Sequence, residues 1–490
     1  MKTRTISCLI RMLILAGLAV PAHAAVSIPD PGLNAAVRLA LNKPAGQLTE
    51  QDLLSLTNLN ASARDISDLQ GLEAAHNLAT LSLDSNSLTN FALPNTLTNI
   101  ELIQINFNPL VQFSIPPGLA KLRQLDLFSN RLTNFVLPNG LPSLTLLNLG
   151  FNSLTQCTLP PTLTNLDTLF LEGNRLTDFA LPAGLIRLTY FDLSANGLSR
   201  FSFPPDATNL VSALIFSNQL TNLTLPTTLN KLGSLDLDFN RLPSLNIPAS
   251  LTNLIRLVLL GNQLTNLTLP ASLTRLGFLD LADNRLSEFT LPPGLRQLNF
   301  LRLSGNRLTS LRLPPGLTNL AVVFLRFNQL TNLTLATDLV NLIQIDVRGN
   351  QLASLTVPPD ATNLITLGLE GNPMTTFVLS EPSAAANLAP IVAMLQNQGV
   401  SIFTYPLTVE VARPLKLPGA FRLGITGPPG VYVVLGSTDL EVWNEVGEIN
   451  NPLGRVLFLD VTPSPLKFYR ALQRSSLDNR AALVPGQLHD

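Results

Sequence analysis

The stretch LDLFSNRLTNFVLPNGLPSLTL, residues 125–146, decides the fold, because its pattern recurs along the chain with a step of 22 residues. With Asn130 as position 0, asparagine occupies that position in fourteen successive copies: Asn86, Asn108, Asn130, Asn152, Asn174, Asn196, Asn218, Asn240, Asn262, Asn284, Asn306, Asn328, Asn350 and Asn372. Position +2 is leucine in thirteen copies and Met374 in the last. A fixed period without insertions predicts a stack of similar coils.

Within each copy, the residues from −6 to −2 alternate between aliphatic and variable side chains. This alternation predicts a strand whose residues at −5 and −3 point inward, and stacked copies then form a parallel sheet. Leu122, Leu125, Leu127, Asn130 and Leu132 match the signature L-x-x-L-x-L-x-x-N-x-L, so the chain resembles the leucine-rich repeat family. The resemblance implies a repeat solenoid with its parallel sheet on a concave, partner-binding face. It also implies a structural asparagine ladder that bonds the backbone of its own and neighbouring coils.

The opposite side of each coil carries its own pattern. Position +5 is phenylalanine or leucine in thirteen copies and Cys157 in one, which predicts a buried column with the cysteine as a small apolar filler. Proline occupies position +8 in twelve of the fourteen copies, from Pro94 to Pro358. Because proline fixes its own φ and favours extended geometry before it, we expect short extended segments on the convex face and no helices there.

The composition narrows the function. The chain has 31 basic and 32 acidic side chains, so it has no overall charge to attract nucleic acid. Three histidines and two cysteines are too few and too scattered for a zinc site or a disulfide framework. We therefore expect no metal, no cofactor and no catalytic residues, since enzyme chemistry needs a nucleophile with a base, paired carboxylates in a pocket, or a metal.

The two ends of the chain differ from the repeats. Residues 1–24 have a basic start, an apolar run and a small-x-small cleavage site, which predicts a signal peptide that includes Cys8. No second apolar run reaches the length of a membrane span, so we expect no transmembrane segment in the mature chain and a secreted or cell-surface location. Residues 25–80 are expected to form a helical cap with an irregular first repeat, 81–380 the repeat array and 381–406 a second cap.

Short alternating runs at 407–475 predict a small β-sandwich, with Trp443, Tyr432, Phe458, Phe468 and Tyr469 available for its core. Residues 476–490 are expected to form a disordered tail. The order of helical cap, repeats and β module is similar to that of internalins. The proline-rich convex segments and the lack of a sortase-type anchoring signal depart from the internalin pattern.

The outward strand positions of the copies from Asn196 to Asn350 hold the candidate partner-binding residues. Aspartates precede a group of arginines, and exposed aromatic side chains lie among them: Asp192, Asp236, Asp238, Asp280, Phe278, Phe300, Arg302, Phe324, Arg326 and Arg348. Mixed charge around aromatic rings is typical of interaction hot spots, so we hypothesise that this surface binds a protein.

Other interpretations of the same residues stay open. The aspartates can simply keep a sheet face soluble, or Asp236 and Asp238 can bind a cation. Cys157 can be a reactive thiol. A glycan-binding or cell-surface adhesin is the alternative function, with Tyr190, Phe278 and Phe300 as a platform for sugar rings.

Overall fold

The computed structural model describes residues 24–462 and 467–474. The predicted signal peptide up to His23, together with Cys8, and the predicted tail at 476–490 lie outside the described residues. The chain divides into two compact units between Leu210 and Val211, and each unit is described by itself.

The first unit begins with two helices. At the N-terminus of each, a side chain accepts a hydrogen bond from a free backbone N–H group. Pro31–Ala40 is capped by Asp30, whose Oδ1 accepts the Leu33 N–H at 3.0 Å. Glu50–Leu54 starts with a capping box between Thr49 and Asp52, and a 3-10 turn follows at Leu72–Ala74. These caps were legible in the sequence because they use the residue types that bond the first amides of a helix.

A parallel sheet of seven three-residue strands runs through the first unit, and each strand pairs with the one in the next coil. The strands are Asn58–Asn60, Thr80–Ser82, Leu102–Gln104, Gln124–Asp126, Leu146–Asn148, Thr168–Phe170 and Tyr190–Asp192. In each of them the central side chain is buried and the two flanking side chains lie on the outer face, here called the strand face.

The second unit continues the same repeat with eight parallel strands. They are Ser212–Leu214, Ser234–Asp236, Arg256–Val258, Phe278–Asp280, Phe300–Arg302, Val322–Phe324, Gln344–Asp346 and Thr366–Gly368. The register advances by one repeat per strand, so Phe278 pairs with Phe300, and Asp280 with Arg302. Side chains one repeat apart are therefore neighbours on the strand face.

The side opposite the strand face carries short strands in both units. The first unit has Asn90–Ala92, Gln112–Ser114, Asn134–Val136 and Gln156–Thr158; the second has Ser310–Arg312, Asn332–Thr334, Ser354–Thr356 and Thr376–Ser380. Residues 81–380 are all described, and no helix occurs among them. The predicted extended convex side is confirmed.

The asparagine side chains at position 0 form hydrogen bonds to the backbone at the bend after each strand. The Asn284 Nδ2 donates to the carbonyls of Leu259, Leu281 and Ala282 at 2.8, 3.1 and 3.1 Å. Its Oδ1 accepts the Leu264 N–H at 3.0 Å. Asn284 is buried, so each of these bonds satisfies a backbone group that water cannot reach.

A second asparagine ladder, at position +13, was missed in the sequence. Asn99, Asn165, Asn253 and Asn363 each donate through Nδ2 to a carbonyl 23 residues earlier, at 2.7 to 3.0 Å. Position +13 is lysine or arginine in four copies, and Lys121 Nζ donates to Asn99 Oδ1 at 2.7 Å. This ladder is exposed and variable, which is why the period alone did not reveal it.

The column at position +5 packs inside the coils. Phe113 and Phe135 are buried and their rings stack at 6.4 Å between centroids. Cys157 pairs in register with Phe135, and burial raises the pKa of its thiol to about 12. A thiol that stays protonated is a poor nucleophile, so the structure favours Cys157 as a packing residue over a reactive one.

The second unit ends in two helices and a β module. The helices are Glu381–Ala385 and Ala389–Asn397, and the strand Ser401–Tyr405 follows. The module contains Glu410–Val411, Leu415–Leu417, Ala420–Thr426, Gly430–Ser437, Asn444–Asn451, Arg455–Asp460 and Phe468–Gln473.

These module strands form two antiparallel sheets that share a core, as the predicted sandwich requires. Tyr432 and Phe458 are in that core, and Tyr469 packs against it. The expectation for Phe468 and Trp443 was wrong. Phe468 is 37% exposed, and Trp443 lies beneath Arg470, whose guanidinium carbon is 4.1 Å from the ring centroid. Side chains alternate between the two faces of a strand, and Phe468 lies on the face opposite the core.

Candidate functional site

The strand face of the second unit brings together a row of phenylalanines predicted from the sequence. Phe278 and Phe300 are stacked with 4.3 Å between ring centroids and an interplanar angle of 1°. Phe324 meets Phe300 edge to face at 5.8 Å. The one-repeat register puts these rings on neighbouring strands, so that each ring limits the rotamers of the next.

Arginine side chains frame this row. The Arg256 guanidinium carbon lies 4.2 Å from the centroid of the Phe278 ring, and that of Arg326 lies 5.8 Å from the centroid of Phe324. Both distances suit cation–π attraction, which holds a long side chain in one orientation. Arg256 was not among the predicted site residues, although it occupies an outward position at the start of its strand.

The three predicted arginines of the second unit each pair with an aspartate, and of these aspartates only Asp280 was predicted. Arg302 Nη1 donates to Asp280 Oδ2 at 3.3 Å. Asp346, only 2% exposed, takes hydrogen bonds from Arg326 Nε at 2.6 Å and from Arg348 Nη2 at 2.6 Å. Burial raises the pKa of Asp346, but the bonds from the two arginines outweigh it, so the pKa lies below its ordinary value.

Asp236 and Asp238 lie next to each other at the beginning of this surface. Burial and the neighbouring Asp236 carboxylate raise the pKa of Asp238 to about 7, although the Leu260 N–H donates to Asp238 Oδ1 at 2.6 Å. Asp236 is 3.9 Å from Arg256 Nη2. Among residues 24–462 and 467–474, no group of three or more potential ligand side chains could hold a metal ion, so a cation site here has no support.

Asp192 belongs to the first unit and is described within that unit. Its Oδ1 accepts the Ser194 N–H at 2.8 Å and the Ser194 hydroxyl at 2.5 Å. Burial raises the pKa of Asp192, and these bonds lower it in part. Asp192 lies on the strand face of the first unit.

That first-unit surface was not recognised in the sequence. Its outward strand positions carry four carboxylates and no lysine or arginine: Asp84, Asp126, Glu172 and Asp192. Burial and the charges of Asp192 and Asp126 raise the pKa of Glu172 to about 7. A separate count of basic and acidic residues at positions −6, −4 and −2 for each half of the array would have found this asymmetry.

Exposed phenylalanines at position −1 also escaped notice. Phe107 and Phe151 in the first unit have φ of 55° and 53°, a left-handed backbone region that bulky side chains avoid. Phe239 and Phe327 in the second unit do the same. The repeat consensus hid them because position −1 varies between serine, glycine, alanine, aspartate and phenylalanine.

Comparison with known proteins agrees with this architecture. The BspA-type leucine-rich repeat region matches residues 83–170, 148–262 and 257–367, which together span more than half of the 490 residues. The chain belongs to the BspA-type leucine-rich repeat family. No curated protein matches the chain.

Solved structures similar to this BspA-type repeat protein include internalins. The functional domain of InlJ from Listeria monocytogenes aligns with 82% of this chain and 96% of its own, with a TM-score of 0.56 and 19% identity. InlF from the same organism aligns with 70% of this chain and 96% of its own, with a TM-score of 0.46 and 22% identity. YopM, a leucine-rich effector from Yersinia pestis, aligns with 70% of this chain and 88% of its own, with a TM-score of 0.46 and 27% identity. The InlJ likeness shows a shared solenoid fold.

A cleft of the BspA-type array lies away from the strand face, near the β module. It measures about 400 Å³ and is lined by threonine, serine, asparagine, leucine and proline side chains, among them Thr334, Ser354 and Pro429. None of its lining residues is a carboxylate, a histidine or a cysteine. In the described part of the chain, no helix has the length and apolarity to cross a membrane.

Proposed function

We propose that the protein is an exported, non-enzymatic scaffold that binds a protein partner through the strand face of its second unit. The observation that carries this proposal is the row formed by Phe278, Phe300 and Phe324, whose rings are in mutual contact on an open sheet face. Aromatic and arginine side chains dominate the binding energy of most protein interfaces.

The fixed geometry of this row favours binding. Immobilising a flexible side chain on association costs about 0.5 to 1.5 kcal/mol. Stacking has already ordered the Phe278 and Phe300 rings, and two hydrogen bonds to Asp346 have ordered Arg326 and Arg348. Binding of a partner to this surface therefore costs less side-chain entropy than binding to a surface whose side chains are free to move.

The pairing of charges also suits a protein interface. Asp280 with Arg302, and Asp346 with Arg326 and Arg348, present a nearly neutral polar border around the rings. An interface with internally compensated charges avoids leaving a single ion unpaired after water is displaced. This arrangement fits a partner with an apolar centre better than one with a strong charge of either sign.

Export is supported by the basic start, apolar run and small-x-small site in residues 1–24. The absence of any catalytic group in the cleft near Pro429 supports a binding role over an enzymatic one. The mass of the protein recovered from culture medium tests the first point, and we expect a mature chain that starts at Ala25.

The binding surface is tested by capture of surface and secreted proteins on the immobilised mature chain. The test variant combines Phe300→Ala, Phe324→Ala and Arg326→Ala. We expect it to lose the proteins that the unmodified chain captures, because the centre of the aromatic row is removed. Hydrogen–deuterium exchange with a captured protein should show protection in residues 300–326.

The matched control combines Ile365→Ala, Arg275→Ala and Phe468→Ala, which removes apolar, cationic and aromatic side chains that are not part of the row. It should capture the same proteins as the unmodified chain. Equal capture by the test variant, with an unchanged circular dichroism spectrum, would place the binding surface elsewhere.

A further inference from the structure

We propose that the strand face of the first unit binds a basic segment of a protein partner, with a lysine or arginine side chain lying across Phe128 and Phe151 and its charge at Glu172. This surface and its partner chemistry are independent of the proposed function of the second unit. Three features of residues 84–192 support the proposal: an exposed aromatic cluster, a carboxylate without a partner, and the lack of a cation.

The aromatic cluster consists of Phe107, Phe128 and Phe151. The ring of Phe128 is 5.5 Å from that of Phe107 and 5.2 Å from that of Phe151, both edge to face. Phe107 is 57% exposed and Phe151 is 53% exposed. The three rings are in contact, and two of them are more than half exposed. They form an apolar patch of the kind that marks an interaction site.

The backbone at two of these rings is strained. Phe107 and Phe151 both have positive φ, which is unfavourable for an L-residue with a bulky side chain. The Phe151 ring lies over Gly173, where an added Cβ would come within 3.0 Å of the ring. Phe151 thus combines backbone strain and solvent exposure, neither of which helps the fold.

Glu172 lies beside this cluster. A Cβ at Gly150 would collide with Glu172 Oε1, so the carboxylate occupies the space above the glycine that precedes Phe151. Glu172 Oε2 is buried and has no hydrogen-bond partner. A carboxylate oxygen in that state is destabilising unless a donor reaches it.

The first unit supplies no cation to this surface. In the described part of the chain, none of the ion pairs involves Asp84, Asp126, Glu172 or Asp192. Asp126 and Asp192 each raise the pKa of Glu172 by repulsion, so the carboxylates act on one another. A cationic partner removes this repulsion and gains the full attraction of the group.

The second unit shows the geometry that such a cation would adopt. Arg256 lies over the Phe278 ring at 4.2 Å and is 3.9 Å from Asp236, so one guanidinium contacts an aromatic face and a carboxylate together. The first unit has the ring and the carboxylate in Phe151 and Glu172, but no arginine at the corresponding outward positions. An arginine or lysine of a partner would complete the set.

The experiment uses the full mature chain and two labelled peptides, Gly-Arg-Gly-Arg-Gly-Arg-Gly and the same sequence with glutamate for arginine. Binding is followed by fluorescence anisotropy at low salt and again at 150 mM salt. We expect the arginine peptide to bind, the glutamate peptide not to bind, and affinity to fall as salt rises. Replacing arginine by lysine should keep binding but weaken it, because ammonium contacts aromatic faces less effectively.

Two variants locate the site. Phe128→Ala with Phe151→Ala, and separately Glu172→Gln, should each weaken the arginine peptide about fivefold. Asp178→Asn removes the same charge from an exposed carboxylate that already pairs with Arg200, and it should change affinity less than twofold. Phe300→Ala with Phe324→Ala, in the second unit, should leave the peptide affinity unchanged, which separates this proposal from the proposed function.

Several outcomes would overturn the proposal. These are the absence of arginine-peptide binding, an equal loss with Asp178→Asn and with Glu172→Gln, and binding that requires added calcium. Retention of full affinity by the Phe128→Ala, Phe151→Ala chain with an unchanged thermal transition would do the same. Anisotropy and sedimentation that change with protein concentration alone would instead identify a second copy of the chain as the occupant.

Discussion

The strand faces of the two units are built on one backbone and carry opposite electrostatic designs. In the second unit, Asp346 is held between Arg326 and Arg348, and Phe278 lies under Arg256. In the first unit, Glu172 has a buried oxygen without a partner, and the described chain offers it no cation. The predicted arginines of the second face each have an acidic partner, whereas the four carboxylates of the first face have no ion pair among the described residues.

This contrast shows how a repeat protein separates stability from recognition. The inward leucines and the asparagine ladder are nearly identical in both units, so the coils stack equally well whatever the outward residues are. The outward positions are then free to differ. A compensated surface has no unpaired charge to offer, while an uncompensated one selects for the missing charge.

The largest effect should be the same in both units, since the ladder is common to them. Asn152→Ala and Asn284→Ala each leave buried carbonyls and an amide unpaired, and we expect each to lower the free energy of unfolding by about 3 kcal/mol or more. Urea denaturation followed by circular dichroism measures this. Asn134→Ala, at an exposed strand residue, should change it by less than about 0.5 kcal/mol. A large loss in one unit and none in the other would break the claim of a shared scaffold.

Neutralising a strand-face carboxylate should change stability in opposite directions in the two units. Neutralising Glu172, in the first unit, should stabilise the fold. Its pKa in the folded chain is about 7, above the ordinary 4.5, so ionisation destabilises the fold and stability falls as pH rises through this window. Glu172→Gln should therefore stabilise the chain at pH 8, by on the order of 1 to 3 kcal/mol, and have no such effect at pH 4. Thermal unfolding at both pH values is the measurement. A loss of stability at pH 8 would mean that Glu172 has a partner in solution.

Asp346 should give the smaller and unfavourable effect. Its pKa lies below the ordinary 3.8, so the ion pairs with Arg326 and Arg348 stabilise the fold above that pH and are lost as pH falls through the folded pKa. Because both arginines are partly exposed, we expect Asp346→Asn to cost only about 1 kcal/mol at pH 7. Thermal unfolding of this variant and of the unmodified chain, measured at pH 7 and at stepwise lower pH, should converge as Asp346 becomes protonated. Divergence there would assign the effect to packing and not to charge.

The candidate site was only partly accessible from the sequence. Phe300, Phe324 and Arg326 could be placed on one face because strand alternation and the repeat step fix their positions relative to each other. Their pairing could not be predicted, since Arg326 reaches forward by one repeat to Asp346 and Arg302 reaches back to Asp280. Long side chains choose among neighbours on both sides, and the choice depends on burial that only packed coils create.

The amino-acid sequence by itself determined the coil, because inward leucines at fixed spacing and one amide per bend leave no other way to bury the chain and satisfy its backbone. It also determined the extended convex side, since proline at +8 is incompatible with a helix there. The tertiary structure alone decided which outward residues meet. It placed the Phe151 ring over Gly173 and left Glu172 without a donor. These outcomes depend on contacts between side chains 20 or more residues apart, which a repeat period positions but does not pair.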